Sequence, residues 1–212
     1  MIKVENDNVW GFEHAIRGMR NPMNSWDKSD SEFKFNFDNE LEFMVGKNDL
    51  GLMRKLYKAG TEHRTYARMI QVSMDIIAPL YWWKEMDRYT VGKSQVSCST
   101  MHKIHAKEFE LDDFSHEHLF TEEAYDALGT IIDKLNSDRH AYIKTKQKEW
   151  WYQMIQLLPS SYNQKRTICM SYETVFKIIK ERTGHKLTEW EDFVALLRRL
   201  PYVEEIIDGS ET

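Results

Sequence analysis

The chain has 212 residues, which is enough for one domain with a buried core. Its 42% hydrophobic and 30% charged residues are typical of a globular protein, and they argue against an intrinsically disordered chain. The formal net charge of -5 argues against a generic DNA-binding surface, although a local basic pocket for phosphate stays open. Seven Trp, ten Tyr and ten Phe predict extensive packing or subunit association.

Cysteine usage and hydropathy predict a cytoplasmic protein. Cys98 and Cys169 lie far apart and form no metal-binding spacing, which suits a reducing compartment. No signal peptide opens the chain, and the most apolar run, Ile70 to Trp83, is too short to span a bilayer.

In chain order, the first thirty residues contain short apolar pieces and turn-forming residues, and we assign no regular element to them. Glu32 to Phe37 alternates polar residues with Phe, which predicts a half-buried strand. Asn48 and Asp49 are candidate caps for a helix that ends at Gly60.

The middle of the chain predicts a strand followed by a short helix. Tyr66 to Ile77 is rich in β-branched and apolar residues, which favours a strand. Ala78 to Trp83 carries a Pro and three consecutive aromatic residues, and it predicts the turn into a helix. Val91 to Ser94 is typical of a loop.

The C-terminal half reads as helical. Helical spacing covers Glu122 to Asn136 and Lys144 to Leu158, with a predicted break at 137–139. Cys169 to Arg182 predicts a third helix. Thr188 is the candidate cap of a fourth, since acidic residues follow in its first turn.

Several of these segments resemble the flavin-dependent thymidylate synthases. Trp82-Trp83-Lys84 stand where that family has the Trp-Phe-Arg of its "QWFRHR" turn. Three other segments match in the same order: Asp49 to Gly60 with the His63 turn, Leu157 to Tyr162, and Thr167 to Lys180. The resemblance runs from about residue 49 to 195.

This resemblance implies a single domain over residues 1–212 with an α+β fold: a mixed or antiparallel sheet, flanking helices and a helical C-terminal half. It further implies a flavoprotein of nucleotide biosynthesis, a methyltransferase that converts dUMP to dTMP with FAD, methylenetetrahydrofolate and NADPH. The resemblance also implies a homotetramer and a pyrimidine nucleotide as the substrate. Net charge and hydropathy predict neither a nucleic-acid partner nor a membrane partner.

The chain departs from the family pattern at its charged positions. Glu85 and Met86 replace the His and second Arg of the turn, and Val91-Gly92 replace an Asn-Glu pair, while Ser94 keeps the motif's second Ser. The motif's Arg-Tyr falls at Val96-Ser97, and the Asn and the nucleotide-binding Arg of the family's C-terminal helix fall at Cys169 and Ser171. Anionic phosphates favour guanidinium groups, because Arg binds a phosphate bidentately and Lys only as a point charge. The departures therefore predict either lost turnover or chemistry moved to other residues.

Replacement cations supply the candidate site. Lys84, Arg88 and Lys93 flank the altered loop, and Lys165-Arg166 precede the predicted helix, whose N-terminus near Thr167 would add to a phosphate site. By resemblance His63 meets the flavin. We therefore predict His63, Lys84 and Arg88 as cofactor-binding and Ser94, Lys165 and Arg166 as substrate-binding, with no catalytic residue assigned. The alternative for each cation is a solvated surface charge.

Two further hypotheses are a metal site and a protein without catalytic activity. His102, His105, His116 and His118 lie near acidic residues, but the chain has no HExxH motif and no Cys pair, so we predict no metal site. The second function class is a catalytically inactive nucleotide-binding or structural homologue that keeps the fold.

Overall fold

The computed structural model describes residues 2–36 and 38–209. Its strands and helices follow one another along the chain as follows: β1 (Lys3–Trp10), α1 (Phe12–Arg20), β2 (Glu32–Phe35), β3 (Leu41–Met44), α2 (Lys47–Lys58), β4 (Gln71–Pro79), α3 (Leu80–Met86), β5 (Lys93–Ser97), α4 (Thr100–Lys103), α5 (Glu122–Thr145), α6 (Lys148–Leu157), β6 (Asn163–Ser171), α7 (Tyr172–Arg182), α8 (Thr188–Arg198) and α9 (Val203–Asp208). No helix among these is long and apolar enough to cross a membrane.

Four strands form the main sheet in the order β1-β4-β6-β5, and β2 and β3 form a separate antiparallel hairpin. The backbone N–H of Tyr172 donates to Ile70 at one end of the β4–β6 pair, and that of Leu80 donates to Tyr162 at the other. Because the start of β4 meets the end of β6, these two strands are antiparallel. The predicted α+β class with an antiparallel sheet is confirmed.

The chain divides into two compact units. The first contains the described residues up to Glu5, Asp75–Tyr89 and Gln95–Thr167; the second contains Asn6–Met74, Thr90–Ser94 and the residues from Ile168 onward.

In the first unit, α5 and α6 enclose an apolar cluster that includes Phe114, Leu135 and Met154. The predicted break in α5 at 137–139 is wrong, because the helix runs on to Thr145. Its polar residues there make tertiary contacts: buried Asp138 accepts a hydrogen bond from Gln153 of α6 at 2.8 Å and pairs with Lys134. Such residues signal a break only when their side chains compete for the local backbone.

In the second unit, α1 buries an apolar stripe, and its Phe12 lies against the first residue of α7 and the N-cap residue of α9. Phe12 meets the rings of Tyr172 and Tyr202 edge to face, at centroid distances of 5.7 and 5.3 Å. The buried residues Phe12, Ala15, Ile16 and Met19 follow helical spacing, so the sequence contained a signal for α1 that we missed. β1 was also missed, since its polar sequence has no alternation to detect.

A buried ion pair anchors the start of α2 in the second unit. Asp49, predicted as a cap, instead lies in the first turn of the helix, whose N-cap is Gly46. Its carboxylate accepts hydrogen bonds from Arg20 Nε at 2.6 Å and from Ser29 Oγ and Ser31 Oγ at 2.7 Å each. Burial acts to raise the pKa of Asp49, but these donors outweigh it and hold that pKa below its ordinary value.

Three other elements differ from their predicted boundaries or burial. The strand predicted over Glu32 to Phe37 is present as β2, but it is exposed rather than half-buried, and Phe37 lies outside the described residues. The strand predicted over Tyr66 to Ile77 is β4, which starts at Gln71 after a 3-10 turn. The N-cap of α8 is Leu187 rather than Thr188.

Candidate functional site

The segment that resembles the family turn begins where β4 ends. Pro79 is extended and serves as the N-cap of α3, because a fixed φ near −65° suits the residue that precedes a helix. Trp82, Trp83 and Met86 are fully buried on one face of this helix. The aromatic part of the motif therefore stabilises the first unit by packing, and the opposite face is left for polar chemistry.

Lys84 and Arg88 are exposed at this helix and just beyond its C-terminal end. Among the described residues, neither side chain has a hydrogen bond or an ion pair. Two cations four residues apart, with no carboxylate to displace, are suited to an anionic ligand. This arrangement fits the prediction that they bind a cofactor phosphate, which stays a prediction.

Arg166, in contrast, is held in place by its neighbours within the first unit. Its guanidinium carbon lies 4.3 Å from the centroid of the Trp83 ring, and its Nη1 donates to Asp87 Oδ1 at 2.7 Å. Its Nε donates to Gln164 Oε1 at 2.9 Å. Because the side chain is only 12% exposed, binding a nucleotide would require Arg166 to leave these partners.

Lys165 lies on the other face of β6. Its Nζ lies 3.1 Å from Asp75 Oδ2 and 3.2 Å from Glu5 Oε2, and hydrogen bonds to these two carboxylates raise the pKa of Lys165. Consecutive residues of a strand point to opposite faces, so Lys165 and Arg166 do not form one phosphate clamp.

The helix N-terminus predicted near Thr167 is absent. Thr167 lies inside β6, and its hydroxyl donates to Asp75 Oδ1 at 2.6 Å. Helix α7 begins only at Tyr172, after Ser171 as its N-cap. The prediction was wrong because Gln164, Ile168 and Met170 alternate into the interior with period two, as in a strand paired on both sides.

His63 is exposed in the turn that follows α2, in the second unit. The turn is closed by a hydrogen bond from the His63 N–H to the Gly60 carbonyl at 3.1 Å, and Gly60 has a φ of 110° that favours glycine. The neighbouring Arg64 pairs with Glu173 at 2.7 Å and stacks on Tyr57 at 5.1 Å. An exposed imidazole on an anchored turn is compatible with contact to a planar ring, and the flavin assignment stays a prediction.

Ser94 is exposed as the second residue of β5, also in the second unit. The loop predicted over Val91 to Ser94 is correct for the turn at Val91-Gly92 and wrong from Lys93 onward, because β5 begins there. An exposed edge strand of polar residues has no hydrophobic period to detect. The Ser94 hydroxyl is thus carried at the start of a strand, directly after a tight turn.

The sequence reasoning missed the residues that hold this turn. Ser171 and Thr174 are buried at the start of α7, and Thr174 Oγ1 donates to the Val91 carbonyl at 2.9 Å. The available signal was Ser171 itself, because Ser is a favoured N-cap residue.

The histidines form no metal centre within residues 2–36 and 38–209, since no group of three His, Cys, Asp or Glu residues is placed to hold an ion there. Ser99 is the N-cap of α4, where its hydroxyl accepts from the His102 N–H at 2.9 Å.

Comparison with known proteins yields a match of fold. No protein-family model matches the chain, and no curated protein matches its sequence. Among solved structures, the chain is similar to thymidylate synthase X (ThyX) from Helicobacter pylori with FAD and dUMP, at 16% identity and a TM-score of 0.73 over 99% of this chain and 98% of that one. A second structure, flavin-dependent thymidylate synthase ThyX from Helicobacter pylori complexed with FAD and dUMP, is 18% identical with a TM-score of 0.69 over 97% and 99%. The chain therefore has the fold of the flavin-dependent thymidylate synthases.

Proposed function

We propose that the protein binds FAD and dUMP, and that it methylates dUMP to dTMP with methylenetetrahydrofolate and NADPH through an altered site. The observation that carries this proposal is the similarity of fold, over nearly the full length of both chains, to ThyX structures that hold FAD and dUMP. Fold alone is a weak warrant for chemistry, so the proposal also needs residues that suit the ligands.

The predicted site residues have separate binding roles in this proposal. Lys84 and Arg88 bind an anionic group of the cofactor, since their exposed cations have no carboxylate to release. His63 contacts the flavin ring from its turn, and Ser94 donates a hydrogen bond to the nucleotide. FAD, when bound, supplies hydride chemistry that no side chain can supply.

Lys165 and Arg166 are the other residues that we propose for nucleotide binding, and because they lie on opposite faces of β6, only one of them can contact a given phosphate. Each is already paired with a carboxylate, so the one that contacts the phosphate must exchange that bond when the nucleotide enters. A phosphate can replace a carboxylate partner where the geometry lets it accept several charge-assisted hydrogen bonds from the cation. This exchange predicts weaker nucleotide binding than a site with free guanidinium groups would show.

A second candidate function is a nucleotide-binding homologue without turnover. The observation that favours it lies in α3: Met86, at the position of the family turn's second Arg, is fully buried and carries no charge to replace it. Such a protein would bind FAD or dUMP and release no dTMP.

The visible absorption spectrum tests cofactor binding. The purified protein is measured before and after addition of FAD, and dUMP is then titrated against it. We expect flavin bands that stay with the protein through gel filtration and shift with dUMP. A colourless protein that takes up no FAD and does not respond to dUMP would rule out both the enzyme and the binding role.

Variants locate the site in the same assay. Arg88→Ala is expected to weaken FAD binding about tenfold, which is the effect of one lost charge-assisted contact of about 1.4 kcal/mol. Lys144→Ala, at an exposed cation of α5, is the matched control and should leave FAD binding unchanged. Equal loss in the two variants would show a general charge effect instead of a site.

Turnover separates the two candidate functions. dUMP, methylenetetrahydrofolate and NADPH are supplied to the FAD-loaded protein, and dTMP is measured by chromatography. Formation of dTMP that requires all three supports the synthase, whereas tight binding with no dTMP supports the inactive homologue. We also propose a homotetramer in the cytoplasm, which sedimentation analysis and imaging of the tagged protein would check.

A further inference from the structure

The first turn of α7 holds the turn that precedes β5, within the second unit. The N–H of Ser171 donates to the Gly92 carbonyl at 2.9 Å, and Thr174 Oγ1 donates to the Val91 carbonyl at 2.9 Å. Ser171 and Thr174 are buried, whereas Val91 is 86% exposed. The turn thus has a buried, hydrogen-bonded base and an exposed tip.

The hydroxyls at this base form a connected relay. The N–H of Thr174 donates to Ser171 Oγ at 3.4 Å, and the two hydroxyls lie 3.2 Å apart. With Ser171 Oγ donating to Thr174 Oγ1, the single Thr174 hydroxyl proton is free to donate to Val91. Each buried polar atom then has a partner, which favours one arrangement of the turn.

The backbone at position 92 lies so close to the hydroxyls of Ser171 and Thr174 that this position requires glycine. Gly92 has a φ of 69°, a backbone conformation that residues with a Cβ rarely adopt. A Cβ at this position would lie 2.8 Å from Ser171 Oγ and 2.9 Å from Thr174 Oγ1. Backbone and hydroxyls are therefore in direct contact, with no spacer that would let the turn shift.

We propose that Thr174 is a positioning residue for nucleotide binding: by bonding the Val91 carbonyl, it sets the placement of Ser94 two residues beyond Gly92. The inference rests on the proposed function, in which Ser94 contacts the nucleotide. Binding groups have to be held within about 0.5 Å of their productive position, and a turn fastened at its base does this for the strand that follows.

Hydrogen exchange tests the contact without any ligand. Thr174→Val removes the hydroxyl and keeps the shape, and it is expected to speed amide exchange over Val91 to Ser94 by about three- to tenfold, the effect of one lost hydrogen bond. Thr174→Ser keeps the hydroxyl and should restore slow exchange. Thr183→Val is the matched control, because its hydroxyl bonds to Ile179 at the other end of α7.

Nucleotide affinity tests the consequence. In the FAD-loaded protein, Thr174→Val should raise the Kd for dUMP about tenfold, while Thr174→Ser and Thr183→Val stay within about twofold of the wild type. FAD affinity should not change in any of them.

The two measurements test the hydrogen bond from Thr174 to Val91 and the positioning role of Thr174 separately. Unchanged exchange in Thr174→Val overturns the contact, and faster exchange with an unchanged dUMP Kd overturns the positioning role. Wild-type protein that binds no dUMP removes the proposed function and the positioning role together. If the wild type binds dUMP and Thr174→Val leaves the Kd unchanged, only the positioning role is overturned.

Discussion

The ion pair between Arg20 and Asp49 is buried, so its loss should destabilise the fold strongly. Both side chains are almost fully buried, at 4% and 0% exposure. The Asp49 carboxylate also accepts the hydroxyls of Ser29 and Ser31 and two backbone N–H groups, and so fixes the segment before β2. The substitution Asp49→Ala removes all of these contacts at once.

The magnitude follows from what the substitution leaves behind. Arg20 keeps its bonds to the carbonyls of Ser25 and Lys28, at 3.1 and 3.0 Å, but its buried charge is no longer compensated. Breaking a buried pair by removing one partner costs about 3–5 kcal/mol. For a domain of this size, about 2–4 °C per kcal/mol predicts a Tm lowered by roughly 6–20 °C.

The assay is urea unfolding followed by circular dichroism, with Glu32→Ala as the control. Glu32 pairs with Lys34 on the exposed hairpin, at 62% and 60% exposure, and its loss should cost no more than about 1 kcal/mol. If Asp49→Ala lowers the free energy of unfolding no more than Glu32→Ala does, the buried pair does not stabilise the fold.

The pH dependence gives a second check on the same pair. The folded-state pKa of Asp49 is lowered, so its stabilising contribution is fully present above the unfolded pKa of about 4 and is lost as pH falls through the folded value. The stability difference between wild type and Asp49→Ala should therefore be constant near neutral pH and shrink below about pH 4. A difference that grows in acid would show that the carboxylate is not bound as a charged group.

Three further substitutions test other parts of the structure. Gly11→Ala should destabilise by at least about 1 kcal/mol in urea unfolding, because φ is 98° and the new Cβ would lie 2.2 Å from the Met69 carbonyl oxygen; unchanged stability would contradict that close approach. Gly129→Ala, with nothing within 4 Å of the new Cβ inside α5, should instead stabilise by about 0.5–1 kcal/mol, and a loss would argue against a continuous helix. Arg166→Ala should cost about 1–3 kcal/mol through its contacts with Trp83 and leave FAD affinity unchanged, whereas weaker FAD binding at full stability would assign Arg166 to the cofactor.

The helices with strong apolar periodicity were predictable from local pattern. α2 was expected from 49 to 60 and spans Lys47–Lys58, and the short helix α3 follows the Pro at the end of β4 as predicted. For α2, apolar residues at helical spacing and the stop signal at Gly60 agree with each other, whereas α3 was predicted from Pro79 and the three consecutive aromatic residues. The family resemblance, drawn from the order of these segments, led to the α+β fold that the structural comparison supports.

The candidate site was less predictable, because side-chain partners come from distant parts of the chain. Composition and motif order were enough to indicate the fold class and to select His63, Lys84 and Arg88 as cofactor-binding candidates. Only the tertiary structure decided that Arg166 stacks on Trp83 and that the end of β6 is a strand, since strand pairing and ion pairing depend on what lies across the sheet. The local sequence specifies the spacing of apolar residues and the positions of charges. The partner of each charge is decided by the tertiary fold, because it comes from a distant part of the chain.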